Sequence, residues 1–269
     1  MTLTPDRFYV GDVPTFLMLV KILKTDPEFC ICFDFGCQRL EIESMMMSGL
    51  VAVGIRLVQG PAGIIVASPI TRTDRITMRV DSNALYHTLS VLNNTQYAYM
   101  SLGLLEEDGA ICIQVYSQSH VLMGSATMHT LNLEEHDTDF LVVHEETRAP
   151  LSYDVIVENT GKTWRSYMQT PTVDATMRFS SKAKTISWET ASPQSRICLV
   201  LPVVVGHNAP DVCICLLPVV VGVLRSVLQL TTNRMTTLSI GEDLPLRLFA
   251  PFDANGSFIR VYAGTKDDN

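Results

Sequence analysis

Short segments of alternating apolar and polar residues dominate this chain, and only four windows carry a helical pattern. Alternation begins at residues 7–10. Asp12, Val13 and Pro14 then read as a helix start with proline in the first turn. The stretch 15–24 is apolar around most of its circumference, with Lys21 and Lys24 on one side, and Pro27 stops it. Strand-like segments follow at about 29–35, 39–45, 51–58, 64–67 and 76–81. Ser82 and Asn83 offer a cap for an amphipathic run over 84–92, which Asn93 and Asn94 close. Three more strands are predicted at 97–105, 110–117 and 121–131.

The second half repeats this plan. A strand at 152–158 runs through Thr160 and Gly161 into a helical stretch at 162–169, stopped by Pro171. Segments 173–180, 184–189, 196–204 and 212–217 are β-like, and 219–231 resembles a helix opened by Pro218. Strands at 235–240, 244–250 and 257–263 complete the half. Between the halves, Leu133 to Ala149 lacks periodicity and holds Glu134, Glu135, Asp137, Asp139, Glu145 and Glu146, as a linker does. The predicted organisation is α+β: two similar β-rich domains with two helices each, over 1–132 and 151–269, joined by a connector at 133–150.

Composition narrows the class. At 47% hydrophobic and 18% charged residues, the chain can bury a large core, which excludes disorder. Its first residues show no basic region followed by an apolar run, so no secretory leader is expected. Of seven cysteines, Cys30, Cys32, Cys112, Cys213 and Cys215 lie in strand-like segments, where reduced, packed thiols are expected. Cys30, Cys32 and Cys37 fall short of a four-ligand zinc set, and no metal is expected. The apolar runs 198–205 and 212–224 are each shorter than the roughly 18 residues of a spanning helix and are broken by Pro202, Pro218 and Gly222.

Charge is unevenly placed. The chain has 20 Lys and Arg against 28 Asp and Glu, a net −8. Its four helical windows (13–26, 82–95, 160–171, 219–233) hold Lys21, Lys24, Lys162, Arg165 and Arg225 against the single acid Asp26. They therefore stand at +4 while the rest of the chain carries −12. Such helices suit a polyanion lying against them, by contacts that are independent of sequence and weaken with salt. Burial alone would also leave helices sparsely charged.

Three segments make a resemblance specific. Glu43-Ser44-Met45 to Val53 resembles the loop and strand of proliferating cell nuclear antigen (PCNA) sliding clamps that begins Ser-Met. The run Met235 to Pro245 (MTTLSIGEDLP) is similar to the strand-turn-Val-Pro signature of that family, and Phe258 to Ala263 (FIRVYA) to its last strand, which carries a tyrosine. Element order agrees over essentially the whole chain.

The resemblance implies a closed homotrimeric ring around duplex DNA, with helices lining the hole and sheets outside. Lys21, Lys24, Lys162, Arg165 and Arg225 are then the expected DNA-facing cations. His87 stands where the family usually has a lysine, leaving the second helix without a full positive charge. Ring closure in the family pairs edge strands, here about 121–129 and 196–203, which brings Val121, Met123, Ile197, Leu199 and Leu201 to the subunit interface. Pairing should end near Pro202, which has no N–H to donate. Client proteins would insert short motifs at Met45, Leu50, the connector residues Phe140, Leu141 and Val142, then Pro245 and Tyr262. Two departures bear on client choice: Gly49 replaces the common histidine, and Gly264-Thr265 replaces Ala-Pro.

Enzyme signatures are lacking. Asn159 to Thr163 (NTGKT) follows a strand and opens a helix, but a phosphate-binding loop needs glycine at position 156, which is Ile156. No nucleophile elbow and no His-Glu-x-x-His occurs. The expectation is a non-catalytic, cofactor-free clamp in the nucleus or at a site of viral DNA replication. Its partners would be duplex DNA, a DNA polymerase, other motif-bearing clients, a clamp loader and copies of itself. The alternatives are a subunit of a heterotrimeric checkpoint-type ring and a monomeric or dimeric viral processivity factor of the same fold.

Overall fold

The computed structural model describes residues 6–46, 49–61, 63–92, 98–105, 109–131, 151–168, 174–192, 195–203, 210–241 and 243–264. The expected connector at 133–150 lies outside the described residues. In chain order the elements are β1 (Phe8–Val10), α1 (Val13–Leu23), β2 (Glu28–Asp34), β3 (Arg39–Met46), β4 (Val51–Val58), β5 (Ile65–Val66), β6 (Arg75–Asp81), α2 (Ser82–Leu92), β7 (Tyr99–Leu105), β8 (Ala110–Tyr116) and β9 (Leu122–His129). The second series is β10 (Val155–Thr160), α3 (Gly161–Tyr167), β11 (Ala175–Ser180), β12 (Thr185–Ser192), β13 (Ser195–Pro202), β14 (Val212–Leu216), α4 (Pro218–Leu230), β15 (Met235–Ile240), β16 (Leu246–Pro251) and β17 (Phe258–Ala263). The repeated plan of strand, helix, strands, helix, strands is present in both series.

The chain forms two compact units, and neither is one run of sequence. The first draws on 1–46, 54–143 and 252–258, the second on 47–53, 144–251 and 259–269. In the first, α1 and α2 pack together, and one sheet has the order β5-β1-β7-β8-β9. A second set of strands runs β6-β2-β3, all antiparallel. Phe8, Phe33 and Phe35 meet in its core with ring centroids 5.4–6.3 Å apart. Glu41 on β3 is fully buried yet ionically satisfied, with Arg39 Nε at 3.1 Å, Arg56 Nε at 3.0 Å and Arg75 Nη2 at 3.3 Å.

In the second unit α3 packs on α4, one sheet has the order β13-β12-β11-β14, and β15 lies between β10 and β16. Trp164 of α3 is buried and its indole N–H donates to the Thr236 carbonyl at 3.1 Å. Gly161 opens α3 against the end of α4. A Cβ there would stand 2.3 Å from the Thr231 carbonyl oxygen, so only glycine permits the approach. This close approach, rather than a phosphate, accounts for the glycine in NTGKT.

Helix starts follow local chemistry. Asp12 caps α1, its Oδ1 accepting from the Thr15 N–H at 3.1 Å. At α2 the capping carboxylate is Asp81, accepting from the Ala84 N–H at 2.7 Å, and not the expected Ser82. Ser82 is buried, and its hydroxyl turns inward to the Asp26 carbonyl. Thr160 caps α3 through its hydroxyl, which accepts from the Thr163 N–H at 3.2 Å. The sequence overestimates β5: of the expected 64–67, only Ile65–Val66 pairs, opposite β1.

Candidate DNA-facing helices and docking surfaces

The cations lie on or beside the helices. Lys21 is exposed in the last turn of α1, where a cation meets the negative end of the helix dipole. Lys24, at the C-cap, is exposed and places its Nζ 4.5 Å from the centre of the Tyr86 ring on α2. Lys162 is exposed and Arg165 half-buried on α3.

Arg225 on α4 is otherwise engaged. Its Nη1 donates to the carbonyls of Arg165 (3.2 Å) and Met168, where α3 ends and backbone acceptors lack intrahelical partners. Burial, with the Arg165 guanidinium beside it, pushes its pKa below the ordinary arginine value. It holds the helix pair together, a role that its sequence context does not reveal.

Burial does not explain the missing acids. On α2 the exposed positions are Asn83, Ala84, His87 and Val91, and on α4 they are Val219, Ser226 and Gln229. Any of them could carry a carboxylate at no cost in desolvation. None of the four helices has an acid in its first turn, where the dipole would favour one.

The docking residues fall into both units. In the first, Met45 is half exposed at the end of β3. In the second, Leu50, Pro245 and Tyr262 are each half-buried, and the Leu50 carbonyl accepts from the Gly264 N–H at 2.7 Å. Phe140, Leu141 and Val142 lie outside the described residues.

The strands expected at subunit edges are terminal in their sheets. Among the described residues β9 pairs only with β8, in register from Ala110↔His129 to Val115↔Gly124, then Tyr116↔Leu122. Met123 is left as the extra residue of a bulge. Val121 and Met123 are exposed, and so is Leu122, which sequence reasoning passed over. Among the described residues β13 pairs only with β12, and Pro202 is its last paired residue, opposite Thr185.

Ile197 is 38% exposed and Leu199 half-buried, but Leu201 is 8% exposed and faces its own core opposite Ile186. Leu201 is thus a core residue, contrary to expectation. Val200, on the opposite face, is 51% exposed. Both phases of the run 196–204 are apolar, so alternation held no signal for which face was inward.

The cysteines are free thiols, and among the described residues no cluster of three or more His, Cys, Asp or Glu could hold a metal ion. Burial raises the pKa of the Cys30 and Cys32 thiols. No helix among the described residues is long and apolar enough to cross a membrane.

No protein-family model matches the chain, and no curated protein matches it. Among solved structures it is similar to the crystal structure of the PCNA2–PCNA3 complex from Sulfolobus tokodaii, with a TM-score of 0.72 and 14% identity, over 97% of this chain and 99% of the matched one. With that coverage and that identity, the likeness is one of fold, and the chain has the two-domain α+β fold of a PCNA-like sliding clamp, in a divergent sequence.

Proposed function

We propose that this chain is a DNA sliding clamp: three copies close into a ring around duplex DNA and tether a polymerase and other DNA enzymes through short docking motifs. The observation that carries the reading is the helix layer. In a chain of net −8, the four helices bear four cations and no acid between their caps, even at exposed positions, and Lys24 adds a fifth cation at the C-cap of α1, the acids Asp12 and Asp81 standing at N-caps. Lys21, Lys24, Lys162 and Arg165 supply loose phosphate contacts, Arg225 positions α3, and topology rather than affinity keeps the ring in place. Met45, Leu50, the connector residues Phe140, Leu141 and Val142, Pro245 and Tyr262 form the client groove, and a methionine there accommodates varied side chains. The domains follow the halves 1–132 and 151–269 except that 47–53 belongs with the second and 252–258 with the first, the protein is non-catalytic, and it works in the nucleus or at a site of viral DNA replication with a clamp loader.

Retention on closed DNA tests the reading. The chain, loaded on circular duplex by its host's loader, should co-elute with the DNA and be released when a restriction enzyme linearises it. Persistence on the linear product would point to direct binding by a monomeric or dimeric processivity factor. A heteromeric ring is the second reading, favoured by the solved relative, which is a complex of two different clamp chains. A purified chain that forms no ring alone but forms one with a second clamp chain would establish it.

A further inference from the structure

Asn255 and Gly256 are the one Asn-Gly pair in the sequence, in the loop between β16 and β17. An asparagine amide is labile because the next backbone nitrogen can reach its side-chain carbonyl carbon, and a glycine there leaves that nitrogen unhindered. The fold leaves it unhindered too. Asn255 is exposed, a Cβ on Gly256 would meet nothing within 4 Å, and among the described residues the Gly256 N–H makes no hydrogen bond. The other described asparagines differ. Asn83, Asn159 and Asn233 precede Ala84, Thr160 and Arg234, whose N–H groups donate to Asp81 Oδ1 (2.7 Å), Asn159 Oδ1 (2.9 Å) and the Thr231 carbonyl (2.9 Å).

The Asn255 amide also has a seat. It lies on Gly60, between β4 and β5, where a Cβ would stand 2.0 Å from Asn255 Nδ2. Hydrogen bonds close the loop on both sides of the Asn255–Gly256 bond. Asp253 Oδ1 accepts from the Asn255 N–H at 2.8 Å and from the Ser257 N–H at 3.1 Å, and the Phe252 N–H donates to the Ser257 carbonyl at 2.8 Å. Ser257 Oγ in turn accepts from the Val58 N–H of β4 at 2.9 Å.

We propose that Asn255 is a site of spontaneous deamidation, with water as the co-reactant, and that its isoaspartate product releases Ser257 from β4. The Gly256 nitrogen bonds to Asn255 Cγ, the Cγ–Nδ2 bond breaks, and ammonia leaves with the proton of that nitrogen. Water then opens the five-membered imide at either carbonyl. Opening at the main-chain carbonyl gives isoaspartate, which adds one carbon to the backbone between the two N–H groups that share Asp253 Oδ1. Opening at Cγ gives aspartate, with the backbone unchanged and a carboxylate placed beside Asp253. The site holds whether or not copies of the chain close into a ring.

Incubation of the full chain at neutral pH and physiological temperature, followed by peptide mass analysis, tests the chemistry. The mass gain of an amide-to-acid exchange should appear at Asn255 while Asn83, Asn159 and Asn233 stay intact, and a protein isoaspartyl methyltransferase should label the same peptide. A folded chain that keeps Asn255 intact while the urea-unfolded chain converts would overturn the site. Hydrogen exchange tests the consequence. In the aged isoaspartate fraction the Val58 amide should exchange about tenfold faster than in fresh protein, the loss of one hydrogen bond. Asn255→Asp, which adds the charge without lengthening the backbone, should show a smaller change. An isoaspartate fraction in which Val58 exchanges as in fresh protein, or no faster than in Asn255→Asp, would overturn the release of Ser257.

Discussion

Glu41 shows how a single side chain can fix a large part of a sheet. Its carboxylate is fully buried and faces guanidinium groups from β3, β4 and β6, so removing it takes a shared counter-ion from three cations at once. Glu41→Ala should lower unfolding free energy by about 3–5 kcal/mol, read as a fall in the denaturant midpoint. The thiols should divide by environment. Burial raises Cys30 and Cys32, so alkylation at neutral pH should reach the exposed Cys37, Cys198 and Cys213 first, as peptide mass analysis would show.

Asp74 gives a pH dependence. A hydrogen bond from the Arg72 side chain holds its carboxyl below the usual carboxylate range. A folded value below the unfolded one stabilises the protein above the unfolded value, and the gain fades as pH falls through the folded one. The Asp74→Asn variant should therefore have a flatter stability curve than the wild type below about pH 4. The pair is exposed, so the difference will be small.

At the scale of elements, the helix pairs separate cations left exposed from a cation that builds the fold. Lys162→Ala should leave the melting temperature unchanged and reduce the slope of log affinity against log salt by about 0.9 for each phosphate no longer neutralised. Arg225→Ala should instead destabilise the chain, because the carbonyls at the end of α3 would be without their donor; a thermal melt distinguishes the two. Element order and type were legible in the sequence because long alternating segments and acid-free helical windows are strong signals. Details decided by three-dimensional competition were not. Ser82 looks like a cap, but its hydroxyl is drawn inward and Asp81 takes the role. Arg225 looks free until α3 ends beside it, and Leu201 looks like Ile197 of the same row until the fold buries one and leaves the other exposed.

For the whole molecule, the candidate site was legible as a set of residue types rather than as a surface. Period and charge locate the cations and edge strands, but the seat that Gly60 makes for the Asn255 amide appears only in three dimensions. β9 also bears on the life of a newly made chain. It has no Lys, Arg, Asp, Glu or Pro along its length, so apart from the bulge at Met123 it lacks the devices that usually keep an edge from recruiting strands. Before it meets a neighbour, each fresh polypeptide is therefore at its most vulnerable, and the hazard scales with how fast the cell makes it. Slow induction should give more soluble material than fast induction. Ser125→Lys, at an exposed position on the same strand, should raise soluble yield at high expression while weakening assembly.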